Sequence, residues 1–286
     1  MVGASTEFTK MTVLICGASG RLGRAMARDW SSETQVIAPT REELDLTSRD
    51  EIRALLGGNK FSLIINCAAW TDVDGCENNP ELARQINSEF PGYLRESCDG
   101  TRTHLMHVST DFVFDGETTE PYGENDLTNP ISVYGKTKLD GEIAAGPEAT
   151  IIRTSWLQSS DSHNMLNWIL ERLDNPGVLE VPSDRQANLT FVEDLLPVFK
   201  YLASQRYEGV VHATNSGTTR WSDFARFVAE ESGNDPSRIL ALNKVATPQV
   251  APRPPFSALD NLVLRYENIE PVRHYKDAVR EKLNQV

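Results

Sequence analysis

Tyr134 and Lys138 stand four residues apart in the run Tyr134-Gly135-Lys136-Thr137-Lys138. On a helix that spacing places both side chains on one face, one turn apart. A phenol there sits beside a fixed cation. A free tyrosine has a pKa of about 10, and a neighbouring ammonium favours the phenolate, drawing the value toward the range in which a phenol trades protons near neutral pH. The pair is therefore a usable acid/base. Tyr and Lys also fall four apart by chance on many helices, so the reading leans on two further stretches. One is Gly17-Ala18-Ser19-Gly20-Arg21-Leu22-Gly23; the other is Val108-Ser109-Thr110-Asp111-Phe112-Val113-Phe114.

The glycines at 17, 20 and 23 follow an apolar run, Met11–Cys16, and open an amphipathic stretch, Leu22–Trp30. A strand, a tight turn and a helix in that order suit a pyrophosphate: the backbone approaches it closely and the helix N-terminus faces its charge. The GxxGxxG spacing resembles that of short-chain dehydrogenases/reductases, and Gly17, Ser19, Gly20, Arg21, Leu22 and Gly23 are the expected cofactor-binding residues of this loop. A site for NAD places an acid after the second strand to hold the ribose 2′-OH. Here that region reads Ala38-Pro39-Thr40-Arg41, so Thr40 and Arg41, helped by Arg21, favour a 2′-phosphate and hence NADPH over NADH. Glu42 and Glu43 follow at once and offer Arg41 a competing partner. Asp45 and Leu46 are placed beneath the adenine. Cys67, Ala68, Ala69 and Trp70 line the cofactor's middle, although Ala68 and Ala69 equally suit close packing.

The elements that position these groups read as alternating strands and helices. Strands are expected at Met11–Cys16, Thr34–Ala38, Phe61–Asn66, Thr103–Ser109 and Thr150–Thr154. Helices are expected at Leu22–Trp30, from Ser48 through Leu56 with Glu51 completing a capping box, at Pro80–Ser97, and at Ser132–Ala145. This rhythm predicts an α/β fold, a Rossmann-type doubly wound parallel sheet, over residues 11–155. After Trp156 the rhythm loosens into a smaller substrate-binding lobe, 156–286, with helices near Leu166–Leu173, Val192–Ala203, Trp221–Glu231 and Tyr275–Leu283. Val178–Val181 is a short strand, and the segment near 209–217 returns to the main sheet. Thr247–Pro255 holds four of the 15 prolines and reads as an extended loop. Residues 1–10 read as a loose leader.

The 286 residues carry a net charge of −13, which argues against nucleic acid or an anionic membrane as a general partner. The first ten residues lack an apolar run, and no stretch approaches the roughly 20 apolar residues of a membrane span, so a cytoplasmic location is expected. Cys16, Cys67, Cys76 and Cys98 form no CxxC pair, which leaves reduced thiols as the reading and makes a zinc site unexpected.

At larger scale the chain resembles the dTDP-4-dehydrorhamnose reductases, within the extended short-chain dehydrogenases/reductases. The resemblance runs from Met11 nearly to the end. It rests on Asn66 to Glu77 (NCAAWTDVDGCE), Ser109 to Phe114 (STDFVF), Val133 to Glu142 (VYGKTKLDGE), Arg153-Thr154-Ser155-Trp156, and Arg253-Pro254 with Ser257-Ala258-Leu259-Asp260. It implies that Tyr134 donates a proton to a keto oxygen, that Thr110 hydrogen-bonds the same oxygen, and that Lys138 holds the nicotinamide ribose. Ser109 joins Tyr134 and Lys138 as cofactor surroundings. Asp111, Trp156, Arg185 and Arg253 face the sugar nucleotide, though Asp111 also suits a turn and Trp156 a core. The implied reaction takes hydride from NADPH or NADH to C4 of a dTDP-4-keto-6-deoxyhexose, giving dTDP-L-rhamnose.

The chain also departs from the family pattern. Where relatives read Asp-Gln-x-Gly-x-Pro-Thr, it reads Asp184-Arg185-Gln186-Ala187-Asn188-Leu189-Thr190, and Trp70 stands where many carry a polar ring. Some relatives are magnesium-linked dimers; no carboxylate cluster supports a metal here, and a homodimer is left open. Two alternatives stay beside the main reading: a reductase of another nucleotide deoxysugar, and a non-catalytic NADP-binding subunit resembling the regulatory subunit of methionine adenosyltransferase.

Overall fold

The computed structural model describes residues 11–159, 164–243, 249–269 and 272–284. The expected leader at 1–10 and the first two residues of the proline-rich segment lie outside them. Five strands form the first part of the chain: β1 Thr12–Cys16, β2 Gln35–Ile37, β3 Leu63–Asn66, β4 His104–Thr110 and β5 Thr150–Thr154. The second part adds β6 Leu157–Gln158, β7 Leu179–Pro182, β8 Gln186–Ala187, β9 Thr190–Phe191, β10 Gly209–His212, β11 Thr219–Arg220 and β12 Ile239–Leu242.

Six of these make one sheet in the order β10-β5-β4-β3-β1-β2, with every neighbouring pair parallel. Such a sheet must be buried on both faces, and strand alternation shows how. Val13 and Ile15 of β1 and Leu63 and Ile65 of β3 enter a core with Met26, Trp30, Leu195 and Phe199. The intervening Leu14, Cys16 and Ile64 enter the opposite core with Ile52, Phe90 and Leu94. A third core of Leu166, Ile169, Phe224, Val228, Tyr275 and Val279 supports the later segments, where three two-stranded ladders replace the large sheet.

Several local expectations are refined. Ser48 caps the helix Arg49–Gly57 by accepting from the Glu51 N–H, but the Glu51 carboxylate accepts from Asp45 N at 2.9 Å in place of closing a capping box. The stretch read as one helix, Pro80–Ser97, is helical at Pro80–Arg84 and Phe90–Cys98 with a wider π turn at Gln85–Glu89 between them. A further short helix, Val73–Asn78, starts at Asp72, whose side chain accepts from Gly75 N at 3.0 Å. The helix Val133–Ala145 lies against this π turn so closely that a Cβ on Gly141 would stand 2.1 Å from Asn87 O. Only glycine permits that approach, which sets the depth of the helix carrying Tyr134 and Lys138.

Candidate active site

The turn after β1 shows why glycine stands at 17. Its φ is +81°, and a Cβ would lie 2.6 Å from Ala68 N. The turn is therefore pressed against the loop after β3, and Gly20 N donates back to Gly17 O at 2.9 Å. The helix Arg21–Trp30 starts with no side-chain cap on its first N–H groups, leaving them for a ligand. A cleft of about 550 Å³ opens here. Gly17, Ser19, Gly20, Thr40, Arg41, Asp45, Leu46, Cys67, Ala68, Ala69 and Trp70 all line it. Sequence reasoning missed Pro39, Leu44, Leu82 and Ile86 on the same wall. The two leucines and the isoleucine carried no polar signal that would set them apart from core.

Not every expected cofactor residue reaches this cleft. Leu22 is a core side chain, 4% exposed, so only its backbone is available. Arg21 lines a second, more open cavity of about 320 Å³ with Gln158, Asn164, Met165, Trp168 and Trp221. Ser109 is turned away: its Oγ donates to Glu142 Oε1 at 2.5 Å, and Glu142 is held by Arg153 through two bonds, 2.9 and 2.7 Å. This is a buried ionic brace between β4, β5 and the helix behind them, and it engages the Ser109 hydroxyl. Cys67 touches Met26 through sulfur at 3.7 Å, and burial pushes its thiol up to about 12, so it is an inert wall.

Arg41 is exposed on the cleft rim, and among the described residues no ion pair joins it to Glu42 or Glu43. Glu43 instead accepts from Thr40 N at 2.8 Å. Asp45 folds back onto Thr47, accepting from its N–H and hydroxyl at 2.8 Å each, and those bonds hold its carboxyl below the ordinary value. Trp70 is fixed by its backbone, with N–H to Asn87 Oδ1 at 2.8 Å and carbonyl from Asn87 Nδ2 at 3.2 Å. Asn87 also reaches Thr137 Oγ1 at 3.2 Å, so one buried amide in the π turn ties the cofactor wall to the Tyr134 helix. Its role was invisible in a stretch that reads as an ordinary amphipathic helix.

Thr110, Tyr134 and Lys138 come together at the carboxyl end of β4. Each is buried, at 6%, 8% and 1% exposure. The Thr110 hydroxyl is 3.0 Å from Asp111 Oδ1, and Phe112 packs its ring edge-on to Tyr134 at 5.5 Å. The expected electrostatics of Tyr134 are reversed. Burial raises its pKa above the ordinary value, Asp111 and Cys76 add to the rise, and the neighbouring Thr110 hydroxyl opposes it. Lys138 does not reach the phenol's charge in this arrangement: its Nζ donates to Val108 O at 2.6 Å. Burial brings the Lys138 pKa down to about 8. The phenol is thus a firm proton holder beside a cation that is easily discharged.

Asp111 is 2% exposed and accepts from Ser257 Oγ at 2.5 Å. Burial lifts its carboxyl to about 6. The Ser257 bond joins the β4 end to the late motif, which runs alongside Tyr122 through Tyr122 N to Ala258 O and Asp260 N to Tyr122 O. Trp156 stacks on Trp221 at 4.1 Å and has φ +39°, a strained value for a large side chain. Arg185 stands 3.6 Å from Asp184, and Arg253 makes a two-pronged pair with Asp74, 3.0 Å on each side. Asp74 also accepts from Val250 N and Ala251 N, so it clamps the proline-rich segment onto the first half of the chain. The Arg253 pair leads the causes that bring the Asp74 carboxyl down to about 2. Among the described residues no group of His, Cys, Asp or Glu side chains is arranged to hold a metal ion, and no helix is long and apolar enough to cross a membrane.

Comparison with known proteins gives this geometry a lineage. The family model for the RmlD substrate binding domain matches residues 11–286. A probable dTDP-4,6-dihydroxy-2-methyloxan-3-one 4-ketoreductase of Streptomyces antibioticus is 36% identical over 279 residues, covering 95% of this chain and 94% of that protein. The dTDP-4-dehydrorhamnose reductase of Mycolicibacterium smegmatis is 31% identical over 285 residues, covering 97% and 86%. Among solved structures, a dTDP-4-dehydrorhamnose reductase of Clostridium acetobutylicum superposes with a TM-score of 0.89 at 32% identity, over 96% of this chain and 99% of that one. The Bacillus anthracis reductase in complex with NADP gives 0.90 at 25% identity, over 97% and 100%. With the family model spanning all but the first ten residues, the chain belongs to the dTDP-4-dehydrorhamnose reductase family.

Proposed function

We propose that the protein reduces the C4 keto group of a dTDP-4-keto-6-deoxyhexose, converting dTDP-4-dehydrorhamnose to dTDP-L-rhamnose, with NADPH preferred over NADH. The observation that carries the reading is the buried set Thr110, Tyr134 and Lys138 beside the glycine-lined cleft. The cleft fits a dinucleotide: Gly17 lets the turn press against the loop after β3, the helix start has no side-chain cap, and Arg41 lines the cleft where a 2′-phosphate would lie. When bound, NADPH supplies hydride to C4. Tyr134 gives its proton to the keto oxygen as that oxygen gains charge, and the Thr110 hydroxyl, which donates to Asp111 in the free site, turns to donate a hydrogen bond to it. A phenol whose proton is held firmly by burial is in the form that a reduction needs at neutral pH. Lys138 is assigned to the ribose, and solvent reprotonates the phenolate left behind. Asp111, Trp156, Arg185 and Arg253 are assigned to the sugar nucleotide.

The test is NADPH oxidation with a panel of nucleotide 4-keto-6-deoxysugars, in wild type and Tyr134→Phe. The variant should keep its NADPH affinity and lose turnover by roughly 10²–10⁴-fold, the range for a lost general acid. NADPH binding without turnover of any panel member would move the chain to a regulatory role. The altered segment Asp184–Thr190 favours a second reading within the same chemistry, a different deoxysugar; turnover confined to a panel member other than dTDP-4-dehydrorhamnose would establish it.

A further inference from the structure

Behind Lys138 lies a buried chain of polar groups that the proposed reaction leaves unused. Lys138 Nζ is 3.4 Å from His107 Nε2, and His107 Nδ1 is 3.0 Å from Asn66 Nδ2. The Asn66 amide has only one workable orientation. Its Oδ1 accepts from Ala68 N at 3.0 Å, so its NH₂ must face the imidazole. An NH₂ donates and cannot accept. His107 Nδ1 is therefore the acceptor and carries no proton, and the ring's single proton is on Nε2. The ring is fully buried, and that burial, with Lys138 beside it, holds His107 in its neutral form. An Nε2–H thus points toward the Lys138 nitrogen. An ammonium has only donors to offer there, whereas the neutral amine has a lone pair that accepts.

We propose that His107, locked by Asn66 as the Nε2–H tautomer, is a positioning residue that weakens Lys138's hold on its proton and so sets the pH at which Lys138 changes charge. The other groups facing Lys138 are few. Glu142, on its own helix, and Cys67, after β3, both favour the ammonium, and burial opposes them. Tyr134 lies one turn back on the same helix. Glu142 is largely spent on Arg153 and Ser109. The π turn packed on this helix contributes the uncharged Asn87, and the short helix Val73–Asn78 contributes Cys76 and Glu77, the latter accepting from Val133 N. Asp111 is directed to Thr110 and Ser257. Among the described residues, His107 is thus the side chain that meets the Lys138 nitrogen within 3.5 Å, beside the backbone carbonyl of Val108.

The consequence for activity rests on the role proposed above for Lys138, so the primary readout does not. In isotope-labelled protein, a long-range proton–nitrogen spectrum reports the His107 tautomer, and the Lys138 side-chain resonances, assigned by their loss in Lys138→Met, report its titration. His107→Asn keeps an acceptor where Nδ1 stands, and removes the arm that faces Lys138. His107→Gln keeps an arm there, but its amide turns its oxygen to the ammonium. Both should raise the Lys138 midpoint, by about half a pH unit or more. The alkaline limb of kcat/KM for the sugar nucleotide should move the same way. A midpoint unchanged in both variants, or a wild-type His107 protonated on Nδ1, would overturn the proposal. A raised midpoint in a protein that turns over no sugar nucleotide would leave it standing while removing the assigned reaction.

Discussion

At the scale of single residues, the site is governed by burial more than by pairwise charge. Tyr134 shows it: a lysine one turn away suggested a lowered pKa, yet the loss of water around the phenol dominates. Asp111 shows it again and gives a pH prediction. Its folded value, about 6, lies above the ordinary 3.8, so the folded state holds this proton more tightly than the unfolded chain. The stabilisation from that proton is complete below about pH 4, and is lost as pH rises through about 6. Asp111→Asn removes the titration. In urea unfolding, the variant should therefore gain on wild type between about pH 4.5 and 7.5, by on the order of 2 kcal/mol. A constant difference between the two proteins across that range would mean that Asp111 is not desolvated as placed.

At the scale of elements, the sheet was legible because its signals are local. Val13, Leu14 and Ile15 form an apolar run, and Gly17 marks the turn that follows; neither depends on a distant partner. The Tyr134 helix was legible for the same reason, through Ser132 as its cap, which accepts from Gly135 N at 3.1 Å. The π turn at Gln85–Glu89 was not, because apolar periodicity cannot register one extra residue per turn while the surrounding helix continues. The Ser109 bond to Glu142 escaped for a related reason: a strand end has two faces, and the sequence does not say that Glu142 waits on one of them. The loop after β2 carries the testable element. Arg41 there is unpaired by its neighbouring acids, so a 2′-phosphate has a cation to meet. Arg41→Asp should lower the NADPH-over-NADH ratio of kcat/KM by about tenfold or more, through loss of a charge-assisted bond and repulsion of the phosphate. Equal ratios in wild type and variant would remove Arg41 from the cofactor site.

At the scale of the whole molecule, the parts are joined by bonds between residues far apart in sequence, which is why they escaped sequence reading. Ser257 meets Asp111, Trp221 stacks on Trp156, and Arg253 meets Asp74. The last of these bears on substrate recognition. Arg253 is assigned to the pyrophosphate of the sugar nucleotide, yet its guanidinium is engaged by a carboxylate that also holds Val250 N and Ala251 N. Asp74 thus stands where an anionic ligand would compete, and Arg185, half-buried nearby, adds a second cation to the same corner. Two roles for Arg253 predict different pairs of variants. If it binds phosphate, Arg253→Ala should raise KM for the sugar nucleotide about tenfold or more, on the order of 1.5–3 kcal/mol for a bond to a charged group. Asp74→Asn, which frees the guanidinium, should then leave KM unchanged or lower. If Arg253 only fastens the proline-rich segment, both variants loosen the same clamp and should raise KM together. NADPH affinity, measured by calorimetry, should stay near wild type in either variant, because neither residue lines the glycine cleft. Parallel KM increases, or an Arg253→Ala protein with unaltered KM, would take Arg253 out of the substrate site and leave it as a clasp between the two halves of the chain.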